Sequence, residues 1–406
     1  MVITITGQVL ALLGMVVAGL VLSRATRLDS TLACLLSGLV AGLSLPFIDF
    51  DTGLRAHNLR DIVFFIILPV LVFEAAWHLK FALLKQWIIP ILLLATLGVV
   101  ISCLVTAALL YFGIGHAQGF PWMAALITGA ILAATDPVAV VAQLQAQDAP
   151  EDFRVLFEGE SLFNDATSVV LFSLFLAIAL GTRDAESGGY LADFAVVFFG
   201  GLVVGVVCGL ICAALSLLLA SASATILVLV FTAFGAFYVA EHGLHVSGIM
   251  AVVAAALTLR WSLEGRQDTL AQGVDDTWGW LGLFFNSLLF VIMGLTITFG
   301  MFQTQWLAML IAIPAALIAR ACAVGTCGLL SLPLRQNIPV GRQVLLVWGG
   351  LRGAIAIALV LSLPVELPYW YTIQSMVFAV VLFSLLVQGT TNQPLIARLA
   401  GEPRAS

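Results

Sequence analysis

From Trp87 to Phe112 the chain runs for 26 residues without one charged side chain, and comparable stretches recur from end to end. About 20 consecutive apolar residues, wound as a helix, cross the hydrocarbon core of a bilayer. Clusters of charge, Pro and Gly mark off thirteen such runs: residues 2–22, 30–48, 60–78, 87–112, 121–145, 153–180, 190–218, 223–241, 246–260, 277–300, 306–330, 343–363 and 370–391. Only 9% of the 406 residues are Asp, Glu, Lys or Arg, against about 25% in soluble domains. So few charges cannot cover a water-exposed surface, which excludes a water-soluble enzyme. The formal net charge of -6 offers no basic stripe for nucleic acid, and no long polar stretch could fold as a separate aqueous domain. The expected fold class is all-α: one polytopic membrane unit of about thirteen transmembrane helices, bathed in membrane lipid.

An odd number of spans puts the termini on opposite sides, and Lys and Arg collect in cytoplasmic loops. With the N-terminus outside, the inner side holds eleven of the sixteen basic residues and the outer side only Arg55, Arg60 and Arg183. Arg320 and Arg352 fall inside apolar runs. A cell-membrane protein with its N-terminus outside and its C-terminus in the cytoplasm is expected. The first run reads as an anchor rather than a cleaved signal, because nothing basic precedes Val2 to Leu22 whereas Arg24 and Arg27 follow. All six cysteines lie in apolar runs without a CxxC pair and read as small packing residues. After Asn392 only a brief tail is expected, with no regulatory extension.

Ionisable side chains within a bilayer are costly, by roughly 2.5–3.5 kcal/mol each on insertion scales, and therefore point to function. Here they are Glu74, Asp136, Glu158, Glu160, Asp165, Arg320 and Arg352. The densest group is Glu158-Gly-Glu-Ser-Leu-Phe-Asn-Asp-Ala-Thr167. Residues four apart share a helix face, so Glu160 with Asn164 and Ser161 with Asp165 form one polar stripe, continued by Ser168. Such a stripe must face protein or water.

Two runs should break. In the fifth, Thr135-Asp136-Pro137 places a proline that lacks an amide hydrogen and clashes with the carbonyl of Ala133. Thr135 and Asp136 then resemble the caps of a new half-helix. In the twelfth, Trp348-Gly-Gly-Leu-Arg-Gly-Ala354 surrounds Arg352 with three glycines, each weakening a helix by about 1 kcal/mol. Interrupted spans in matching positions of two halves mark transporter binding sites. Runs four to six and eleven to thirteen are such trios, and an inverted repeat with two unwound, crossing helices is geometrically allowed.

These residues, Thr135-Asp136-Pro137, Glu160-Ser161 with Asn164-Asp165, and Gly349-Gly350-Leu351-Arg352-Gly353, resemble the monovalent cation:proton antiporters of the sodium/proton exchanger superfamily, most closely the NhaP-like bacterial type. The resemblance spans nearly the whole chain. It implies a homodimer, with a dimerisation domain from residues 1–78 and 223–300, a core ion-transport bundle from 87–180 and 306–391, a linker helix at 190–218 and a short cytoplasmic tail at 392–406. It further implies that Asp165 binds the proton and the cation, with Asn164 holding the network beside it. Ser161, Thr135 and Asp136 would complete the ion site or hold its shape, and Glu74 would join the ligands. The cation would then sit at Asp165, Glu74, Ser161 and Thr135. Glu160 would form an ion bridge with Arg320, and Arg352 would lie at the helix crossing.

Desolvation disfavours the charged form of a buried carboxylate, so one acid in such a pocket holds either a proton or a dehydrated cation. Asn164, being neutral, leaves one exchangeable charge. Electroneutral one-for-one exchange is expected, of Na+ or Li+ for H+, with K+/H+ antiport as the alternative and a passive cation channel a more distant one. Neither Asp136 nor Asp165 sits in the Gly-x-Gly-Asp pattern of intramembrane aspartyl proteases. The pattern asks for no cofactor. The five histidines, His57, His78, His116, His242 and His245, fall near expected helix ends or loops, where interfacial placement accounts for them better than pH sensing.

Overall fold

In a bilayer every backbone N–H and C=O must find a partner within the protein, and an apolar run does so simplest as a helix. The computed structural model describes residues 2–26, 28–44, 61–79, 81–114, 120–181, 189–263, 271–332 and 338–399, and their backbone is almost wholly helical. In chain order the helices are α1 (Val2–Thr26), α2 (Ser30–Ser44), α3 (Val63–His78), α4 (81–113), α5 (Trp122–Ala133), α6 (Val138–Ala146), α7 (Glu151–Ala179) and α8 (Tyr190–Leu219). They continue as α9 (Ala222–Gly243), α10 (Gly248–Leu263), α11 (Ala271–Thr296), the short α12 (Phe299–Thr304), α13 (Trp306–Ser331), α14 (Val340–Trp348), α15 (Ala354–Leu361) and α16 (Trp370–Leu399). Among the described residues, eight helical stretches are long and apolar enough to cross a membrane, accompanied by four shorter apolar helices.

Within the described residues the apolar runs fall mainly on helical backbone, interrupted at the two expected breaks, with one instructive difference at the end. The last helix was expected to stop at residue 391, yet α16 continues to Leu399. Its final turns are amphipathic rather than apolar: Asn392 and Ile396 are buried, and this end packs against α6 and α14. Residues 392–399 of the expected tail are therefore packed helix, while 400–406 lie outside the described residues. Of the histidines, His78 closes α3, His242 lies in the last turn of α9 and His245 follows in a loop. His57 and His116 lie outside the described residues. The six cysteines are all free thiols.

Packing sorts the helices into two groups. In one, α2 lies along α11 and α1, α8 lies along α10, and α3 packs on α10 and α11. In the other, α4 packs on α5 and α13, α5 on α7, and α13 on α16. The α8–α10 contact illustrates how helices associate in lipid, where small residues let backbones approach. Gly201, Gly205 and Gly209 present one bare face of α8 to Ser247, the residue before α10, and to Ala251 and Ala255 within it. A methyl on Gly205 would lie 2.7 Å from Ala254 Cβ. Gly205→Val is therefore expected to destabilise the purified protein by about 1–3 kcal/mol through overpacking, read as a lowered thermal midpoint; an unchanged midpoint would mean that the two helices can part freely.

Candidate ion-binding site

The site begins with the two breaks. α5 stops at Ala133 and α6 starts at Val138; α14 stops at Trp348 and α15 starts at Ala354. The loose stretches touch through one antiparallel bridge, in which the Asp136 amide donates to the Leu351 carbonyl at 2.8 Å. The Asp136 carboxylate then serves both restarting helices: Oδ1 accepts the Val138 amide at 3.0 Å and Oδ2 accepts the Ala354 amide at 3.3 Å. A single carboxyl group thus caps two helix N-termini, where the helix dipoles concentrate partial positive charge. Glycine at 353 makes this possible, because a Cβ there would sit 2.6 Å from Asp136 Cγ.

Thr135, in contrast, is tied to α7 on three sides. Its amide donates to Asn164 Oδ1 at 3.2 Å, its hydroxyl accepts from Asn164 Nδ2 at 2.6 Å, and its carbonyl accepts the Ser161 hydroxyl. Asn164 Nδ2 also donates to Glu160 Oε1 at 2.8 Å. Glu160 in turn receives a two-pronged ion pair from Arg320 of α13, at 2.8 and 2.9 Å, with both side chains buried. Arg320 Nε donates to the Leu346 carbonyl at 3.2 Å, in space that Gly350 leaves open. Arg352, also buried, donates to the Gly350 carbonyl at 3.2 Å.

Asp165 is less completely satisfied than this network. It lies one turn beyond Ser161 on the face that Ser168 continues, and its Oδ1 is buried without a hydrogen-bond partner; the Ser168 hydroxyl is likewise unpartnered. A buried polar atom without a partner is costly, and more so when charged. One helical turn back, the Ser161 hydroxyl donates to the Thr135 carbonyl, which Asn164 holds through the Thr135 amide and hydroxyl.

A family model described as the transmembrane sodium/hydrogen exchanger matches residues 9–398. The chain belongs to the sodium/hydrogen exchanger family. It is 38% identical over 371 residues to the Na+/H+ antiporter ApNhaP of Aphanothece halophytica, covering 89% of this chain and 68% of that protein. It is 33% identical over 390 residues to the Na+/H+ antiporter NhaP of Pseudomonas aeruginosa, covering 91% and 90%. Its fold is that of the solved sodium proton antiporter MjNhaP1 of Methanocaldococcus jannaschii at pH 8, with a TM-score of 0.83, 20% identity, and coverage of 98% and 100%. These relatives are transporters, not enzymes, and the exchanger family is one of multi-pass membrane proteins.

Among the residues singled out from the exchanger pattern, Thr135, Asp136, Glu160, Ser161, Asn164, Arg320 and Arg352 meet around the two breaks, with Asp165 at their edge. Glu74 approaches from the other helix group. On α3 its carboxylate lies against Gly282 of α11 and 3.4 Å from His78 Nδ1. Sequence reasoning missed three features. One is the second cap that Asp136 provides, to Ala354. Another is Gln388, whose amide reaches the end of α14. The last is a cavity of about 210 Å3 next to the Asp165 face of α7, where Val169 and Ser173 meet Asp193, Glu241 and His245. No charge placed inside an apolar run signals the second, and the third assembles from residues far apart in the chain.

Proposed function

We propose that this chain exchanges a monovalent cation, Na+ with Li+ as a second substrate, for H+ across the cell membrane, one for one, by alternating access in which cation and proton compete at Asp165. The unpartnered, buried Oδ1 of Asp165, one helical turn from the Ser161 hydroxyl that bonds Thr135, is the observation that carries this reading. Asp165 takes the proton or the cation. Ser161 and Thr135 supply neutral oxygens, and Asn164 fixes Thr135 by bonding both its amide and its hydroxyl. Asp136 keeps the two helix restarts together, and Glu160 with Arg320 braces the network from behind. Glu74 joins the ligands from α3 as the two helix groups close on each other.

Charge bookkeeping supports the stoichiometry. Around the breaks stand three carboxylates, Asp136, Glu160 and Asp165, and two guanidiniums, Arg320 and Arg352. Fully ionised, they leave one negative charge. One proton or one monovalent cation cancels it, so the loaded site carries no net charge in either state. Glu74, 3.4 Å from His78 on α3, lies outside this count.

The proposed topology has all thirteen runs crossing the bilayer, with the N-terminus outside and the C-terminus in the cytoplasm. The group built on α1–α3 and α9–α11 is the dimerisation domain of a homodimer, and the group of α4–α7 with α13–α16 is the moving core. The linker is α8.

Reconstituted protein with an internal pH dye tests the reading. Pulses of Na+ or Li+ are expected to evoke proton flux, whereas a response to K+ alone would name a K+/H+ exchanger and cation conduction without proton movement would mean a channel. Steady exchange is expected to ignore membrane voltage. A rate that rises under one sign of imposed potential and falls under the other would overturn the one-for-one stoichiometry.

A further inference from the structure

Unwinding a helix within a membrane frees carbonyls that must be bonded by something else. At the second break nearly every one has an identified donor. The Leu346 carbonyl takes Arg320 Nε, Gly349 takes the Leu351 amide, Gly350 takes Arg352 and Leu351 takes the Asp136 amide. The carbonyl of Trp348, the last residue of α14, takes the side-chain amide of Gln388 at 2.8 Å. Gln388 is buried on α16, and its own carbonyl oxygen accepts the Ser384 hydroxyl at 2.8 Å, which fixes which end of the amide faces Trp348. Ser384–Gln388 is a π-helical turn, a wide turn that occurs mostly at functional sites.

The same part of α16 grips the other broken span. Gln143 of α6 donates to the Gly389 carbonyl at 2.9 Å and Gln147, just after it, donates to the Gln393 carbonyl at 3.1 Å, while on the α14 side the Trp348 indole donates to the Thr391 hydroxyl at 2.9 Å. Arg320, Gly350, Arg352, Ser384 and Gln388 also surround a cavity of about 10 Å3, the room of a single water molecule.

We propose that residues 384–393 of α16 form a clasp that sets the geometry of both helix breaks, and that Gln388 is a positioning residue for the ion site. The path is short. Gln388 fixes the Trp348 carbonyl; three residues on, Leu351 holds the Asp136 amide; the next residue back, Thr135, is the one that Asn164 and Ser161 bind beside Asp165. Gln388 touches no ion, yet it determines where the Thr135 oxygens stand. This inference rests on the cation/proton exchange proposed above for its transport readout.

Gln388→Met keeps the length and bulk of the side chain and removes its donor. In proteoliposomes it is expected to raise the KM for the transported cation about two- to tenfold, the scale of one net hydrogen bond, with maximal flux changed less. Ser384→Ala, which leaves Gln388 in place but frees its amide to turn, is expected to raise KM by a smaller factor. Val381→Ala, a truncation of another buried residue on α16, controls for loss of packing alone and is expected to lower the thermal midpoint without moving KM. A readout independent of transport is hydrogen exchange: peptides covering residues 349–353 are expected to exchange faster in Gln388→Met and Ser384→Ala than in the wild type. Unchanged KM and unchanged exchange in both variants would overturn the positioning role, as would a KM rise in Val381→Ala equal to that in Gln388→Met. A wild type without cation-evoked proton flux would count against the exchange reading; faster exchange of residues 349–353 in the variants would still support the clasp.

Discussion

Proteoliposomes carrying Asp165→Asn are expected to show cation-evoked proton flux no greater than empty vesicles, while the purified variant melts at or above the wild-type temperature. Loss of transport follows from the chemistry of the group. An amide cannot take up and release a proton in the accessible pH range, and it has no charge with which to replace the hydration shell of a cation. Retention of stability follows from the geometry. Asp165 Oδ1 makes no hydrogen bond, so an amide nitrogen in its place breaks none while the other oxygen is kept, and an uncharged side chain of the same shape removes the cost of keeping a charge in a desolvated site. The pairing of lost function with kept or raised stability is the signature of a site whose strain is functional. Intact flux in this variant would remove Asp165 from the centre and move attention to Glu74 and Asp136; a sharply lowered melting temperature would mean that Asp165 is structural.

What was legible in the sequence follows from which residues violate their surroundings. A charged residue in an apolar run is costly wherever it lies, so Glu160, Asp165, Arg320 and Arg352 stand out without any knowledge of the fold. Pro137 and the glycines at 349, 350 and 353 break helices by local chemistry, and the structure interrupts the helices at those residues. Partnership is different, because it depends on which elements the fold brings together. Asp136 reads as the cap of its own half-helix, but its bond to Ala354, 218 positions away, has no local signal. Gln388 is neutral and sits at the polar end of an apolar run, so it resembles an interfacial residue until the carbonyl of Trp348 is placed against it. The end of α16 was missed for a related reason: its last turns bury one face only, and a search for continuous apolarity stops where that face begins to alternate with polar residues.

The buried pair of Glu160 and Arg320 should behave in the opposite way to Asp165. Arg320→Ala leaves a carboxylate buried, with Asn164 as its remaining hydrogen-bond donor among the identified contacts, and removal of one partner of a buried pair costs about 3–5 kcal/mol. A large fall in thermal midpoint and in yield is expected, at least as great as any fall in transport. The double variant Glu160→Gln with Arg320→Met is expected to recover most of that stability, since it removes both charges and keeps a side-chain oxygen that can accept from Asn164 Nδ2. It is not expected to recover full transport. The Leu346 carbonyl, held by Arg320 Nε at 3.2 Å in the wild type, loses its donor in both variants, and that carbonyl belongs to the last turns of α14, the helix whose end positions the unwound stretch. Equal melting of Arg320→Ala and wild type, together with abolished flux, would reverse the assignment and make the pair a working part of the transport cycle rather than a brace behind it.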